Sequence, residues 1–240
     1  VRTTAVLDGN EYVLNGTKQW ITNAGFAAVF TVFARTDKTG TQSAGKAISC
    51  FIVRRDTPGV TVGPPEKKVG IRGSETNEVH FESVRVPAEN LLGEVGSGFK
   101  IAMSVLNEGR LGLATGCVGA ARRLLQQSVV YANQRRQFGQ SIGSFEIIKE
   151  KLAHMAARTY VMESSAYLTA GIADRGVKDI SIEAAICKVM GSETLWYVVN
   201  EAIQIHGGNG FMEEFPFGRV MRDARINLIF EGTNEILRVF

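Results

Sequence analysis

The hydrophobic period of this chain changes once, near residue 92, and that change restricts it to a fold built in two parts. Ahead of the change, short runs rich in β-branched and aromatic residues follow one another closely. They are Val29-Phe30-Thr31-Val32-Phe33-Ala34, Ile48-Ser49-Cys50-Phe51-Ile52-Val53, Gly59-Val60-Thr61-Val62 and the alternating Glu78-Val79-His80-Phe81. Such runs predict strands. Glu11-Tyr12-Val13-Leu14, then Asn15-Gly16, then Thr17-Lys18-Gln19-Trp20-Ile21 predicts a β-hairpin, because Asn-Gly supplies the positive φ angles of a type I′ turn. Lys38 to Ala44, rich in Gly, Thr and Ser, reads as a surface loop. Short strands with frequent turn signals predict an antiparallel barrel or sandwich.

After Val86-Pro87-Ala88-Glu89-Asn90 apolar residues recur at three and four, without proline, from Gly98 to about Asn133. A second helical stretch runs from about Phe145 to Ala173. A third runs from Ser181, an expected N-cap with Glu183 in the first turn, to His206, where Gly207-Gly208 ends it. A fourth begins near Thr233. Long helices with short joints predict an antiparallel four-helix bundle. The expected class is α+β, with a β domain over 1–92 and a helical domain over 93–240.

Composition closes off several functions. Net charge is +3, from 27 basic and 24 acidic residues, too even a balance to indicate a nucleic-acid or membrane partner. Lys67-Lys68 with Arg72 reads as a solvated turn. Cys50, Cys117 and Cys187 are odd in number and far apart, so they describe neither a disulfide scaffold nor a zinc site. They are expected as small core residues, compatible with a reducing compartment. No two histidines have ligand spacing, and no metal site is expected. No run of about 18 apolar residues predicts a transmembrane helix. Both termini read as cut ends, Ile236 to Phe240 lying inside an expected helix.

Two segments carry candidate chemistry. In Gln204-Ile205-His206-Gly207-Gly208-Asn209-Gly210-Phe211, three glycines in four residues let backbone approach another group and free amide N–H groups for an anion. Gly207 as a simple helix C-cap accounts for the same residues. In Phe230-Glu231-Gly232-Thr233-Asn234-Glu235-Ile236, a carboxylate between an aromatic residue and a glycine is expected to be poorly solvated, which raises its pKa and suits a base acting on carbon. Equally, Glu231 can simply favour the positive end of the helix that Thr233 caps.

Taken together these segments resemble the acyl-CoA dehydrogenase family. Gln204 to Asp223 matches its second signature position by position, and Glu231-Gly232-Thr233-Asn234 is similar to its catalytic-base segment. Trp20-Ile21-Thr22-Asn23 resembles its flavin-contacting loop, and Arg135-Arg136-Gln137-Phe138-Gly139 its R-x-x-F-G motif. Val86 to Asn90 through Gly96-Ser97-Gly98-Phe99 resembles the join between its β and helical domains. The resemblance spans the whole chain. It is closest to the very-long-chain branch, on Pro65-Glu66-Lys67-Lys68 and Leu92 to Lys100.

The resemblance implies that Glu231 takes the α-proton of an acyl-CoA thioester while the β-hydride passes to FAD, giving a trans-2-enoyl-CoA in fatty-acid β-oxidation. It implies FAD contacts at Trp20, Ile21, Thr22, Arg135, Phe138, Gln204, Gly207, Gly208, Thr233, Asn234 and Glu235. Asn107, Arg110, Phe230 and Gly232 would border the substrate. Arg135, Phe138, Gln204, Gly207 and Gly208 would meet the FAD of a neighbouring subunit, so a homodimer or homotetramer is expected. An electron-transfer flavoprotein is the expected electron acceptor, in a bacterial cytoplasm or a mitochondrial matrix. The family's N-terminal helical domain and first signature would lie ahead of Val1.

One departure separates branches of the family. Some relatives carry the base on an earlier helix, just before the position of Arg110. Here that position is Gly109, and Glu108 points about 100° away on a helix, so Glu231 is the expected base. Gly109 also leaves room for long acyl chains. The competing expectations are a respiratory-complex assembly factor of the same family and an acyl-CoA oxidase. A nitroalkane-oxidising relative is disfavoured, since it would place aspartate at position 231.

Overall fold

A computed structural model describes residues 1–37, 42–43 and 45–239. Most of the expected loop at 38–44 lies outside them, as does Phe240. The chain divides into two compact units, Val1–Val105 and Leu106–Phe240, with the dividing line inside a long helix.

The first unit holds seven strands: β1 (Thr4–Asp8), β2 (Glu11–Thr22), β3 (Val29–Arg35), β4 (Ile48–Arg54), β5 (Val60–Val62), β6 (Thr76–Pro87) and β7 (Leu91–Leu92). They form one sheet in the order β5-β6-β2-β1-β3-β4-β7. Every neighbouring pair is antiparallel except β1 and β3, which meet in parallel at Thr4 and Arg35. Strands β2 and β4 are three places apart, about 14 Å in a flat sheet. Yet the Tyr12 and Phe51 rings approach to 4.9 Å, so the sheet curls over its own apolar face. Leu14, Val32, Phe51, Val53, Val79, Phe81 and Val84 fill that core.

The expected hairpin at Asn15–Gly16 is not there. Strand β2 runs straight through it, and the turn that reverses the chain is Gly9–Asn10, joining β1 to β2 at the pair Asp8 and Glu11. Gly9 takes φ +62°, where a type II′ turn puts glycine. Asn15–Gly16 instead faces a bulge on β6. Leu14 pairs with Val84 and Gly16 with Phe81, which leaves one extra residue on β6, and the Asn15 side-chain carbonyl accepts the Ser83 N–H at 2.8 Å. The bulge lets Val79, Phe81, Val84 and Val86 all face the core despite their broken alternation. A second register shift, between Lys18 and Ile21, puts the extra residue on β2, where Trp20 has φ +58°. The Lys67-Lys68 segment also differs from expectation. Lys68 is half-buried and its ammonium donates to Ser74 O and to Thr76 Oγ1.

The long helices fall where the period put them: α1 (Gly98–Gln134), α2 (Glu146–Asp174) and α3 (Ser181–His206). Between α1 and α2 lies a two-stranded ribbon, β8 (Arg136–Gln137) and β9 (Gln140–Ser141). Three short helices follow, α4 (Gly208–Phe211), α5 (Phe217–Ala224) and α6 (Asn234–Leu237), so the helix begun at Thr233 is a single turn among the described residues. Ser181 is the first helical residue rather than the cap. Asp179 Oδ1 accepts its N–H at 3.0 Å instead. Helix α3 buries residues on all sides, as a central helix must, and packs Leu195, Val198, Val199, Ala202 and Ile205 against Cys117, Leu124, Met155 and Met162. All three cysteines are buried free thiols, and burial pushes Cys117 up to about 12. Among the described residues no helix is long and apolar enough to cross a membrane.

Gly16 takes φ +141°, and a Cβ there would stand 2.8 Å from the Thr3 Cα. Gly16→Ala is expected to cost about 1–3 kcal/mol. Urea denaturation should show a lower midpoint at unchanged slope, and an unchanged midpoint would contradict the bulge geometry.

Candidate active site

Six described non-glycine residues have positive φ, and three of them, Trp20, Phe138 and Glu231, are residues the sequence marked as functional. The left-handed region strains any residue with a Cβ and is retained where surrounding contacts impose it, often at functional sites. Each of the three has its own local cause.

Glu231 follows the 3-10 turn Arg225–Leu228 and has φ +58°, with Gly232 at φ +92°. Two successive positive φ angles turn the chain sharply just before Thr233, whose Oγ1 accepts the Ile236 N–H at 3.4 Å as the cap of α6. Buried cations hold the two carbonyls of this turn. Arg110, in α1, donates from Nε to Glu231 O at 3.0 Å and from Nη1 to Asn107 Oδ1 at 3.0 Å. Lys188, in α3 and wholly buried, donates from Nζ to Gly232 O at 2.7 Å and to Asn234 Oδ1 at 2.8 Å. Asn234 is further held by Ser192 Oγ and by Glu193, which Arg238 clamps with two bonds of 2.6 and 2.8 Å.

The turn lays the Glu231 carboxylate over Gly109. A Cβ at 109 would stand 3.2 Å from Oε2, so the missing side chain makes room for the carboxylate itself. Oε2 is buried and has no hydrogen-bond partner among the described residues. An unpaired buried carboxylate oxygen is costly for folding, and such exceptions call for an explanation in function. No acceptor among the described residues takes the N–H of Glu231. Burial pulls the Lys188 ammonium below its ordinary range and Arg110 adds to that, while Glu231 and Glu235 push it back.

The structure therefore joins Asn107, Arg110, Glu231, Gly232 and Asn234 in one hydrogen-bonded group, with Thr233 capping, Glu235 exposed and Phe230 40% exposed beside them. Glu108 is exposed. Sequence reasoning missed Lys188, although a lone charge in Ala184-Ala185-Ile186-Cys187-Lys188-Val189-Met190 was its signal. Trp20, Ile21 and Thr22 lie in the first unit, where the β2 bulge leaves the Trp20 ring 69% exposed.

Another group forms at the far end of α1. Phe138–Gly139 is the two-residue turn of the β8–β9 ribbon, with φ +54° and +82°. Both being positive makes it type I′, the geometry expected at Asn15–Gly16. It leaves the Phe138 ring 91% exposed beside the exposed Arg135. The Tyr131 hydroxyl donates to His206 O at 3.3 Å, which ties this end of α1 to the end of α3. Gly207, at φ +57°, ends α3 as expected, and Cβ atoms at Gly207 and Gly208 would meet nothing within 4 Å. Gln204 is exposed and borders an open cavity of about 980 Å³ with Phe211 and Arg219. That cavity does not reach Glu231.

The sequence profile described as the acyl-CoA dehydrogenase middle domain matches residues 1–84, and the one for the C-terminal domain of those enzymes matches 96–240. The chain belongs to the acyl-CoA dehydrogenase family. It is 52% identical, over all of its length, to the mitochondrial very long-chain specific acyl-CoA dehydrogenase of Homo sapiens, and spans 37% of that protein. Among solved structures, butyryl-CoA dehydrogenase from Megasphaera elsdenii is 43% identical with a TM-score of 0.93, over 99% of this chain and 61% of that one. An acyl-CoA dehydrogenase complexed with FAD from Bacillus anthracis is 47% identical with a TM-score of 0.90, over 100% of this chain and 43% of that one.

His206 lies between the Tyr131 and Phe217 rings, at 4.3 and 4.1 Å, and donates from Nδ1 to Ala202 O at 2.7 Å. Burial holds its pKa below the ordinary 6.5, the Ala202 carbonyl pulling the other way. From 6.5 down through the folded value, the unfolded chain binds a proton that the folded chain refuses, so stability falls as pH falls. Melting temperatures between pH 7.5 and 5 should therefore drop less for His206→Phe than for the parent. Parallel curves would show that His206 does not carry this dependence.

Proposed function

We propose that the protein uses FAD to dehydrogenate long-chain acyl-CoA thioesters to trans-2-enoyl-CoA, with Glu231 as the base. The observation that supports this best is the Glu231 carboxylate, strained, buried and unpaired at Oε2, over a residue that has no side chain. A base for a weakly acidic C–H needs a lone pair that no protein donor occupies. Oε2 has one. The N–H of Glu231 is free to donate to the thioester carbonyl, where negative charge develops as the α-proton leaves, and such donors strengthen when water is excluded. Arg110 and Asn107 hold the turn from the α1 side, next to the substrate. A bound FAD would supply the acceptor for the hydride that leaves C3.

The features of this chain suit that cofactor. Trp20 offers an exposed ring and Thr22 an exposed hydroxyl. Arg135 offers an exposed planar donor fork for a pyrophosphate, and Gly207 and Gly208 offer open backbone. Arg110 and Gln134, the last residue of α1 and the neighbour of Arg135, are 24 residues apart on one continuous helix, about 36 Å. That is farther than one dinucleotide reaches from Glu231. As the family resemblance implies, Arg135, Phe138, Gln204, Gly207 and Gly208 are assigned to the FAD of a second subunit, and the working enzyme to a homodimer or homotetramer. The likeness to very long-chain enzymes supports a long acyl chain, and the family resemblance supports an electron-transfer flavoprotein as acceptor.

The test is anaerobic mixing of the FAD-loaded intact protein with acyl-CoAs of graded length, following bleaching of the flavin band. Bleaching should be fastest with long chains. Glu231→Gln should bind the same thioesters and slow bleaching by about 10²-fold to 10⁴-fold or more. Undiminished bleaching by that variant would remove Glu231 from its role.

A further inference from the structure

We propose that Lys188 is a positioning residue for proton transfer at Glu231, holding the Gly232 carbonyl and with it the left-handed turn that presents the carboxylate. The inference rests on the reading of Glu231 as the base.

Glu231 O is fixed from α1 by Arg110, at 3.0 Å, and Gly232 O from α3 by Lys188, at 2.7 Å. Between these anchors the chain adopts φ +58° and +92°. Releasing Gly232 O frees residue 231 to return to negative φ, which relieves its strain and swings the carboxylate off Gly109. The second bond of Lys188, to Asn234 Oδ1 at 2.8 Å, fixes the first residue of α6, two positions further along. A single ammonium thus spans the turn and the helix that follows it.

Packing alone does not call for a charge here. The side chain is wholly buried, and taking an ammonium out of water is costly. What an apolar residue lacks is a donor for the Gly232 carbonyl. Charge-assisted bonds are short and strong, as a strained turn requires. The other groups around Lys188 serve the same end: Ser192 and Glu193 orient Asn234, and Arg238 holds Glu193.

The experiment reads the proton step without hydride transfer. A long-chain 3,3-dimethylacyl-CoA has hydrogens at C2 and none at C3, so its C2 hydrogens can exchange with deuterated solvent but it cannot be dehydrogenated. In the intact FAD-loaded protein, Lys188→Met should exchange these hydrogens about 10²-fold more slowly, with an unchanged dissociation constant for the thioester. In the crystal structure of the variant, residue 231 should no longer have positive φ. Exchange at the parent rate overturns the inference, as does a φ at residue 231 still near +58°. Lys188→Gln, which keeps a neutral donor, should fall between parent and Lys188→Met. If neither variant is recovered as folded flavoprotein, Lys188 serves the fold and the inference fails. Glu231→Gln, measured alongside, should abolish exchange. If exchange persists there, the base assignment itself falls, and the inference with it.

Discussion

Two successive carbonyls, each taken by a buried cation from a different helix, are what the left-handed turn at Glu231–Gly232 depends on. Neither Arg110 nor Lys188 is exposed, and neither finds its carbonyl locally: the separations are 121 and 44 residues. The turn at Glu231–Gly232 is therefore a product of the packed bundle rather than of its own sequence. Helices α1 and α3 must already lie side by side for both donors to arrive, and the core of Cys117, Leu124, Leu195, Val198 and Val199 puts them there. Burial energy, which has no direction, is in this way converted into the orientation of one carboxylate.

The same trade between local strain and distant support recurs along the chain. Trp20 sits on a bulge that cross-strand pairing with β6 imposes, and Phe138 on a ribbon two residues long on each side. In each case an aromatic or acidic residue occupies a conformation that favours glycine, and the result is a ring or a carboxylate placed where its neighbours leave it unoccupied. Three such positions in one chain all fall on segments that resemble family motifs.

Legibility from sequence followed the range of the forces involved. The helices α1, α2 and α3 were readable almost to the residue because their period is a local property repeated over many turns. The runs of β3 and β4 were readable for the same reason. Asn15–Gly16 misled because the dipeptide rule considers only the turn. The register of β2 is decided by Leu14 against Val84 and by the Asn15 side chain on Ser83. The ribbon turn at Phe138–Gly139 escaped notice because phenylalanine is a poor occupant of positive φ. Glu231 was singled out by its neighbours in sequence, yet its contact with Gly109 and its support from Lys188 depend on pairings no short window contains.

The Phe138 ring has a further consequence, for the life of the chain before assembly. Nine-tenths of its surface lies in water, at the tip of the ribbon turn, with an edge contact to Phe145 at 6.2 Å. Under the oligomeric reading, every newly made copy displays this apolar knob until a sister copy covers it. Chaperones and proteases recognise such surface, so the abundance of the enzyme would depend on how quickly copies find each other, and a variant that slows pairing would lower protein level while leaving the chemistry of each finished site intact.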